Sequence, residues 1–154
     1  MVNKVNKNFL KTSHYITDLK LCSVRIIDNA KFPWIILVPK RNKVTDITNL
    51  NSKDQITLIK EIVFCSNVMK KIFKTTKLNV EKIGNIVPQL HIHIIARKKT
   101  DSSWPLSVWV VKGKSYKKTF FFLTCVMFFF IDQNIIHNIS LSIIFTFCSN
   151  WLGH

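Results

Sequence analysis

Polar and apolar residues alternate in the stretch QLHIHII, residues 89–95. Successive side chains of a β-strand point to opposite faces, so this alternation predicts a strand whose two faces differ. The polar face carries Gln89, His91 and His93 and must meet solvent, a cleft or a partner, because an unpaired buried imidazole is costly. Its two imidazoles lie about 7 Å apart along the chain, from a rise of ~3.3 Å per residue. The aliphatic face is suited to a core and consists of Leu90, Ile92, Ile94 and Ala96.

Four runs are predicted to be strands. LCSVRIIDN (21–29) and IILVPK (35–40) are rich in β-forming residues, and the AKFPW connection is short enough for a hairpin. KLNVEKIGN (77–85) is the third strand and ends at Gly84, and QLHIHIIAR (89–97) is the fourth. The residues before about Asp18 are polar and basic, and we expect them to form a loosely packed arm.

A long helix is predicted within residues 51–77. Ser52 and Gln55 have the spacing of a capping box, which predicts the start of the helix. The residues expected on its apolar face are Ile59, Ile62, Met69 and Phe73. The order strand, strand, helix, strand, strand predicts an α+β fold, in which an antiparallel sheet carries the long helix on one face.

Positive charge dominates the chain as far as Lys118. The first 118 residues hold all 23 Lys and Arg residues against 7 Asp and Glu, a formal charge of +16. This charge favours phosphate-bearing partners in general, and nothing in it points to a specific nucleic acid. A general drift of the amino-acid composition toward Lys, Asn, Ile and Phe would explain the positive charge equally well. The four cysteines form no C-x-x-C pair and indicate reduced thiols in a cytoplasmic protein.

The last part of the chain differs in composition. From Thr119 to His154 there is no Lys or Arg, and eight of the twelve Phe residues lie there. Its apolar runs, 119–131 and 139–147, are each shorter than the ~20 residues of a spanning helix, so we expect no continuous membrane span. A membrane-associating appendage, a strand-forming or dimer-covering extension, and a foreign tail made by frameshift or read-through are the alternatives. We favour the third, and we place the domain at 1–113 and the tail at 114–154.

Three roles are open to the paired histidines. A metal site would need a third ligand, and the other histidines lie in the N-terminal arm and the tail. Two surface histidines on an edge strand would need no functional explanation. A neutral imidazole is also a good nucleophile toward phosphorus, and the phosphoramidate that it forms can be hydrolysed. The alternation by itself does not choose among these roles.

Several segments together resemble the histidine triad (HIT) family of nucleotide hydrolases and transferases. In chain order they are RIIDNAKFPWIILVPKRNKVTDITNL, the helix from Ser52, KLNVEKIGNIVPQLHIHIIAR and DSSWPLSVW, within about residues 10–112. The family motif is His, apolar, His, apolar, His, apolar, apolar, and here Gln89 replaces the first histidine, a departure associated with a bacterial branch. An amide donates to a phosphate oxygen but cannot shuttle a proton, so binding should survive better than turnover.

The resemblance implies roles for individual residues. His91 matches the nucleophile of the family, and His93 matches the histidine that contacts phosphate. Gly84 and Asn85 match a Gly-Gln pair ahead of the triad, Asn79 an upstream phosphate-binding Asn, and Asp28 or Asn29 a ribose contact. The implied substrate-binding residues are thus Gln89, His93, Asn85, Asn79 and Asp28.

The implied reaction is attack on the α-phosphate of a nucleoside phosphoramidate or dinucleoside polyphosphate, through a nucleotidyl-histidine. The resemblance implies a homodimer that needs no metal or other cofactor. A nucleotide-binding protein without turnover and, less favoured, a metal-binding H-x-H protein are the alternatives. Trp104, Pro105 and Trp109 either wall a nucleotide pocket or pack in the core or a dimer contact, and we favour packing.

Overall fold

A computed structural model describes residues 5–115 of the chain. Five strands form one antiparallel sheet in the order β1-β2-β3-β5-β4. The short helix α1 (Lys7–Thr12) precedes the sheet, and the long helix α2 (Ser52–Phe73) connects β3 to β4. The strands are β1 (Ser13–Asp18), β2 (Cys22–Ile27), β3 (Trp34–Pro39), β4 (Lys77–Glu81) and β5 (Ile92–Arg97). The predicted α+β fold is confirmed.

Strands β2 and β3 form the predicted hairpin. They pair antiparallel with Arg25 opposite Ile36, and nearly all of their residues are buried. Runs of branched aliphatic residues suit strands that are covered on both faces. β3 then pairs with β5, which places Ile36 opposite His93. The hairpin therefore fixes the histidine strand inside the sheet, between β3 and β4.

Helix α2 covers one face of the sheet. Its buried residues Leu58, Cys65 and Met69 belong to the same hydrophobic cluster as Leu90, Ile92 and Ile94. The aliphatic side of the alternating stretch thus faces the helix, as predicted. Each fully buried Leu or Ile side chain is worth about 1.5–3 kcal/mol. A register slip of one residue would turn the histidines toward the helix, so this burial also fixes which way they point.

Two details of the helix prediction are wrong. The N-cap is Asn51, whose side-chain oxygen accepts the backbone N–H of Asp54 at 2.9 Å, and Ser52 is already helical. One residue of the expected apolar face is also misplaced: Ile59 is 57% exposed, whereas Met69 and Phe73 are buried as expected and Leu58, which was not predicted, is fully buried. Apolar residues occur on several sides of this helix, so their periodicity does not select one stripe, and contact with the sheet decides the buried face.

The N-terminal segment is not a loosely packed arm. β1 pairs with β2, and Phe9 of α1 is buried. The Arg25 guanidinium donates to the hydroxyl and to the carbonyl of Ser13, each at 2.9 Å. The polar sequence reflects an edge strand that is exposed at many positions, a place that tolerates polar residues.

Strands β4 and β5 are shorter than predicted. β4 ends at Glu81 and β5 begins at Ile92, so Gln89 and His91 lie in the connection that leads into β5. The backbone N–H of Leu90 donates to the carbonyl of Val44 at 2.9 Å, which takes this part of the chain out of the sheet ladder.

The face of the sheet opposite α2 carries two smaller apolar clusters. One is formed by Phe9, Ile36, Val38 and Val87, and the other by Phe32, Trp34, Ile95 and Val108. His91 contacts Phe9 of the first cluster, and His93 contacts Trp34 of the second. The two histidines are therefore held from both sides by apolar packing.

Within residues 5–115 there is no helix of the length and hydrophobicity that a membrane crossing requires. The carbonyl of Lys114 accepts the backbone N–H of Ala30 at 2.5 Å, so the chain contacts the domain one residue beyond the expected boundary. The tail after residue 115 lies outside the described residues, and its separation from the domain stays a prediction.

Candidate active site

The two histidines meet on the face of the sheet opposite α2. Their ring centroids are 4.6 Å apart and the ring planes cross at 80°. His91 is 5% exposed and His93 is 4% exposed, although polar residues of an alternating strand were expected at a surface or a cleft. Because charge is costly in such a setting, burial favours the neutral form of both rings.

His91 is oriented by the backbone that precedes it. Its Nδ1 lies 2.7 Å from the carbonyl oxygen of Gln89. A carbonyl only accepts, so Nδ1 carries the proton and donates, and the Nε2 of the neutral ring keeps its lone pair. Burial lowers the pKa of His91, and Lys82 lowers it further, while the hydrogen bond to Gln89 opposes the fall. A neutral imidazole with a fixed tautomer has the form that a nucleophile requires.

His93 is enclosed by aromatic rings. The indole Nε1 of Trp34 lies 3.0 Å from Nδ1 of His93, and the ring of Trp109 stands edge-on with centroids 5.1 Å apart. Burial, and next the neighbouring His91, lower the pKa of His93 to about 3, although the carbonyl of Ile83 near the ring opposes this. Its Nε2 is buried and makes no hydrogen bond of good geometry within residues 5–115. His93 is therefore neutral at ordinary pH.

Gln89, which the resemblance aligns with the first histidine of the motif, is half-buried. Its side-chain oxygen accepts the backbone N–H of Asn6 at 2.8 Å. The amide is thereby oriented, because a backbone N–H can only donate and must meet the oxygen. The two N–H donors of the amide point away from that contact. Gln89 thus joins the N-terminal segment to the histidine pair.

Asn79 is fixed by a buried arginine. Its side-chain oxygen accepts from Nη1 of Arg97 at 2.7 Å. The same guanidinium donates to Asp101 at 2.8 Å and to the Ser103 hydroxyl and the Leu106 carbonyl at 3.0 Å each. Asn79 stands opposite Ile95 in the β4–β5 register, two residues along β5 from His93. Its oxygen is therefore engaged in the fold, and its amide N–H groups are the part suited to a phosphate.

The remaining predicted site residues are Asn85 and Asp28. Asn85 is exposed in the connection between β4 and β5. Asp28 is half-buried just after β2, where its backbone N–H donates to the carbonyl of Thr12 at 2.9 Å. In the sheet, β3 lies between β5 and β2, the strand that ends just before Asp28. The structure thus joins His91 and His93 directly, and Gln89 through its backbone, whereas the roles of Asn85 and Asp28 stay predictions.

The donor atoms around the histidine pair bear on the metal-binding alternative. Within residues 5–115 no group of three or more His, Cys, Asp and Glu side chains is placed to hold an ion. The Nδ1 atoms of both histidines are already engaged. The arrangement places the neutral imidazole of His91, with a free lone pair, beside the neutral imidazole of His93. Such a pair is suited to attack on an electrophile that carries oxygen acceptors.

The sequence also matches a known domain family. The description of that family is "HIT domain", and it matches residues 8–100. This chain belongs to the histidine triad (HIT) family. The family comprises nucleotide hydrolases and transferases, so the chemistry available to the histidine pair agrees with the family's general function.

Solved structures of other HIT proteins resemble this one over nearly their whole length. A histidine triad protein of Bradyrhizobium japonicum is 35% identical with a TM-score of 0.80, over 82% of this chain and 96% of its own. One of Sinorhizobium meliloti is 30% identical with a TM-score of 0.79, over 80% and 93%. One of Marinobacter aquaeolei is 29% identical with a TM-score of 0.79, over 82% and 93%. A comparison with curated proteins gave no match.

Three residues around the HIT histidines were not identified from the sequence. Trp34 donates to His93, Phe9 stands edge-on to His91 with centroids 4.7 Å apart, and Arg97 holds Asn79. Trp34, Ile36 and Val38 share one face of β3 by alternation, but only the pairing of β3 with β5 turns that face toward His93. Phe9 lay in the segment expected to be loose. Trp109 was weighed as a pocket wall or a packing residue, and it packs on His93 and Trp34 while remaining 48% exposed.

Proposed function

We propose that this HIT protein hydrolyses or transfers a nucleotide at the α-phosphate through a covalent nucleotidyl-histidine at His91. The observation that supports this most strongly is the 2.7 Å contact between Nδ1 of His91 and the Gln89 carbonyl. It leaves the Nε2 lone pair of His91 available for attack, and the depressed pKa keeps that lone pair free of a proton at neutral pH.

In the first proposed step, Nε2 of His91 attacks the α-phosphorus and the bond from phosphorus to the leaving group breaks. The imidazole becomes cationic, and its Nδ1–H bond to the Gln89 carbonyl stabilises the developing charge. In the second step the oxygen of water bonds to the same phosphorus and releases a proton to solvent, the P–N bond breaks with its electron pair returning to Nε2, and the nucleotide leaves as neutral His91 is restored. His93 and the amides of Gln89, Asn79 and Asn85 are proposed to hold phosphate oxygens, and Asp28 the ribose.

The chemistry of residue 89 bears on the substrate class. An amine that leaves from a phosphoramidate must gain a proton, whereas a nucleoside phosphate that leaves from a dinucleoside polyphosphate is stable as an anion. The amide of Gln89 cannot supply a proton, and its oxygen already accepts from Asn6. Of the two substrate classes that the resemblance implies, we therefore propose the polyphosphate.

A nucleotide-binding protein without turnover is the second candidate. It is favoured by Gln89, which replaces a titratable histidine, and by the N-terminal segment, which lies beside the nucleophile through Phe9 and Asn6. The proposal also includes a homodimer, from the family resemblance, and a reducing cytoplasm, from cysteines that form no C-x-x-C pair.

Single-turnover trapping tests the proposed function. The full chain is mixed with radiolabelled diadenosine polyphosphate, quenched, and analysed for a labelled histidine by peptide mapping. We expect an adduct at His91 in wild type and none in His91→Ala, with turnover reduced on the order of 10⁴-fold or more while AMP binding largely persists. The exposed His14, changed to Ala, is the matched control and should retain the adduct.

The same experiment has outcomes that would change the proposal. An adduct that persists in His91→Ala would move the nucleophile elsewhere. Tight AMP binding with neither adduct nor turnover in wild type would select the binding-protein candidate. Gln89→His should raise the rate with an adenosine phosphoramidate by about 10²- to 10⁴-fold, because an imidazole can supply the proton that the amine needs. The same change should affect the polyphosphate rate much less.

A further inference from the structure

The surroundings of His93 contain a hydrogen-bond donor, the indole N–H of Trp34. Trp34 begins β3 and is 6% exposed, and its Nε1 lies 3.0 Å from Nδ1 of His93 with ring centroids 5.4 Å apart. An indole N–H donates and never accepts, so Nδ1 of His93 must be the acceptor and must carry the lone pair. A proton on Nδ1 would set two N–H groups against each other in a desolvated place.

The other ring nitrogen of His93 then has a defined state. A neutral imidazole with its lone pair on Nδ1 carries its proton on Nε2. This Nε2 is buried and has no hydrogen-bond partner of good geometry within residues 5–115, in a side chain that is 4% exposed. The Ile83 carbonyl lies near the ring but does not complete a hydrogen bond of good geometry, so the Nε2–H group is suited to a ligand that supplies a better-placed acceptor.

We propose that Trp34 is a positioning residue, whose indole N–H holds His93 in the tautomer with the proton on Nε2 and so makes it a fixed hydrogen-bond donor to a phosphate oxygen. The phosphate part of this inference rests on the proposed function, whereas the tautomer does not. The two histidines thereby take opposite tautomers. His91 presents a lone pair at Nε2 toward phosphorus, and His93 presents an N–H at Nε2 toward oxygen.

This assignment has two consequences. His93 cannot replace His91 as nucleophile, because its Nε2 carries a proton and the lone pair on its Nδ1 accepts from Trp34. It also opposes metal binding, because a metal needs the lone pair that the tautomer removes from Nε2. Phosphate oxygens, which only accept, remain the ligands that suit both histidines.

A second tryptophan provides the matched control. Trp109 also stands edge-on to His93, with centroids 5.1 Å apart, but its Nε1 donates to Glu81 at 2.9 Å. Trp34→Phe and Trp109→Phe each keep an aromatic ring against His93. Only the first removes the hydrogen bond to Nδ1.

Long-range ¹H–¹⁵N correlation spectra of the full-length ¹⁵N-labelled protein report the tautomer of each histidine directly. We expect His93 to be the Nε2–H tautomer in wild type and in Trp109→Phe between pH 5 and pH 8. In Trp34→Phe we expect a mixture with the Nδ1–H tautomer. An Nδ1–H tautomer in wild type would overturn the proposal even if Trp34→Phe did not fold, and so would an unchanged tautomer in a folded Trp34→Phe.

Titration with AMP tests the phosphate part in the same samples. We expect the wild-type His93 Nε2–H signal to shift on binding, and Trp34→Phe to bind AMP about tenfold more weakly, the loss typical of one hydrogen bond to a charged group. Trp34→Phe should also gain zinc binding relative to Trp109→Phe. If the tautomer is as proposed but AMP does not bind, the proposed function fails together with the phosphate part, while the tautomer assignment stands. If AMP binds and the wild-type tautomer is Nδ1–H, only the inference about Trp34 fails.

Discussion

At the scale of single residues, desolvation determines the state of the two imidazoles. His93 is the more strongly affected, with a pKa of about 3 against an ordinary 6.5. Between these two values the unfolded chain binds a proton that the folded chain excludes. Folding stability must therefore fall as pH falls through this window, by at most about 1.4 kcal/mol per pH unit for one group. The contribution of His93 is fully present above pH 6.5.

We predict that replacing His93 removes part of this pH dependence. Urea unfolding of His93→Phe should show a smaller loss of stability between pH 6.5 and pH 4.5 than wild type, in addition to a pH-independent cost from the Trp34 N–H left without its acceptor. His14→Gln is the control, because this histidine is exposed on β1. Equal slopes for wild type and His93→Phe would show that His93 is not buried neutral in the folded protein.

At the scale of elements, the start of α2 distinguishes two adjacent residues. Asn51 accepts the backbone N–H of Asp54, whereas Ser52 lies inside the helix and makes no cap. We predict that Asn51→Ala lowers the free energy of unfolding by about 1 kcal/mol, within the range of roughly 0.5–2 kcal/mol for a lost cap. Ser52→Ala should change it by less than about 0.5 kcal/mol. The measurement is equilibrium unfolding in urea. A larger destabilisation by Ser52→Ala than by Asn51→Ala would identify Ser52 as the N-cap.

At the scale of the whole molecule, the outer surfaces bear on the proposed homodimer. β4 is an edge strand of the sheet, and its Val80 is 46% exposed. Helix α2, which packs against β4 and β5, also exposes apolar side chains: Ile56, Ile59, Val63 and Phe64. An open strand edge beside an apolar helix surface is suited to a symmetric contact with a second copy, since the edge can pair with another strand and exposed apolar side chains are costly in water.

We predict that wild type is a dimer in size-exclusion chromatography with light scattering, and that the double variant Ile59→Glu, Val63→Glu is a monomer. Two carboxylates in an apolar contact would be desolvated without partners, which is strongly unfavourable. Leu10→Glu is the control, because Leu10 is 54% exposed on α1, compared with 57% and 53% for the two helix residues. A monomeric wild type, or a dimer that survives the double variant, would contradict this contact.

The sequence by itself determined those features that depend on local periodicity. Alternation between residues 89 and 97 was sufficient to assign Leu90, Ile92 and Ile94 to the core and the two histidines to the other side, although only the residues from Ile92 onward form the strand. The β2–β3 hairpin and the long helix followed from equally local signals. The HIT family was indicated by the resemblance of several segments to that family, and not by periodicity.

Only the tertiary structure decided what surrounds the histidines. Phe9 and Trp34 are 82 and 59 residues from their histidine partners, respectively, and no local pattern encodes such contacts. The buried face of α2 was likewise decided by the sheet, since apolar residues surround that helix. The lowered pKa values of the two histidines also depend on tertiary structure, because desolvation is caused by every element that packs around a ring. The chain thus specifies two histidines on one face by sequence, and only folding fixes where each of them carries its proton.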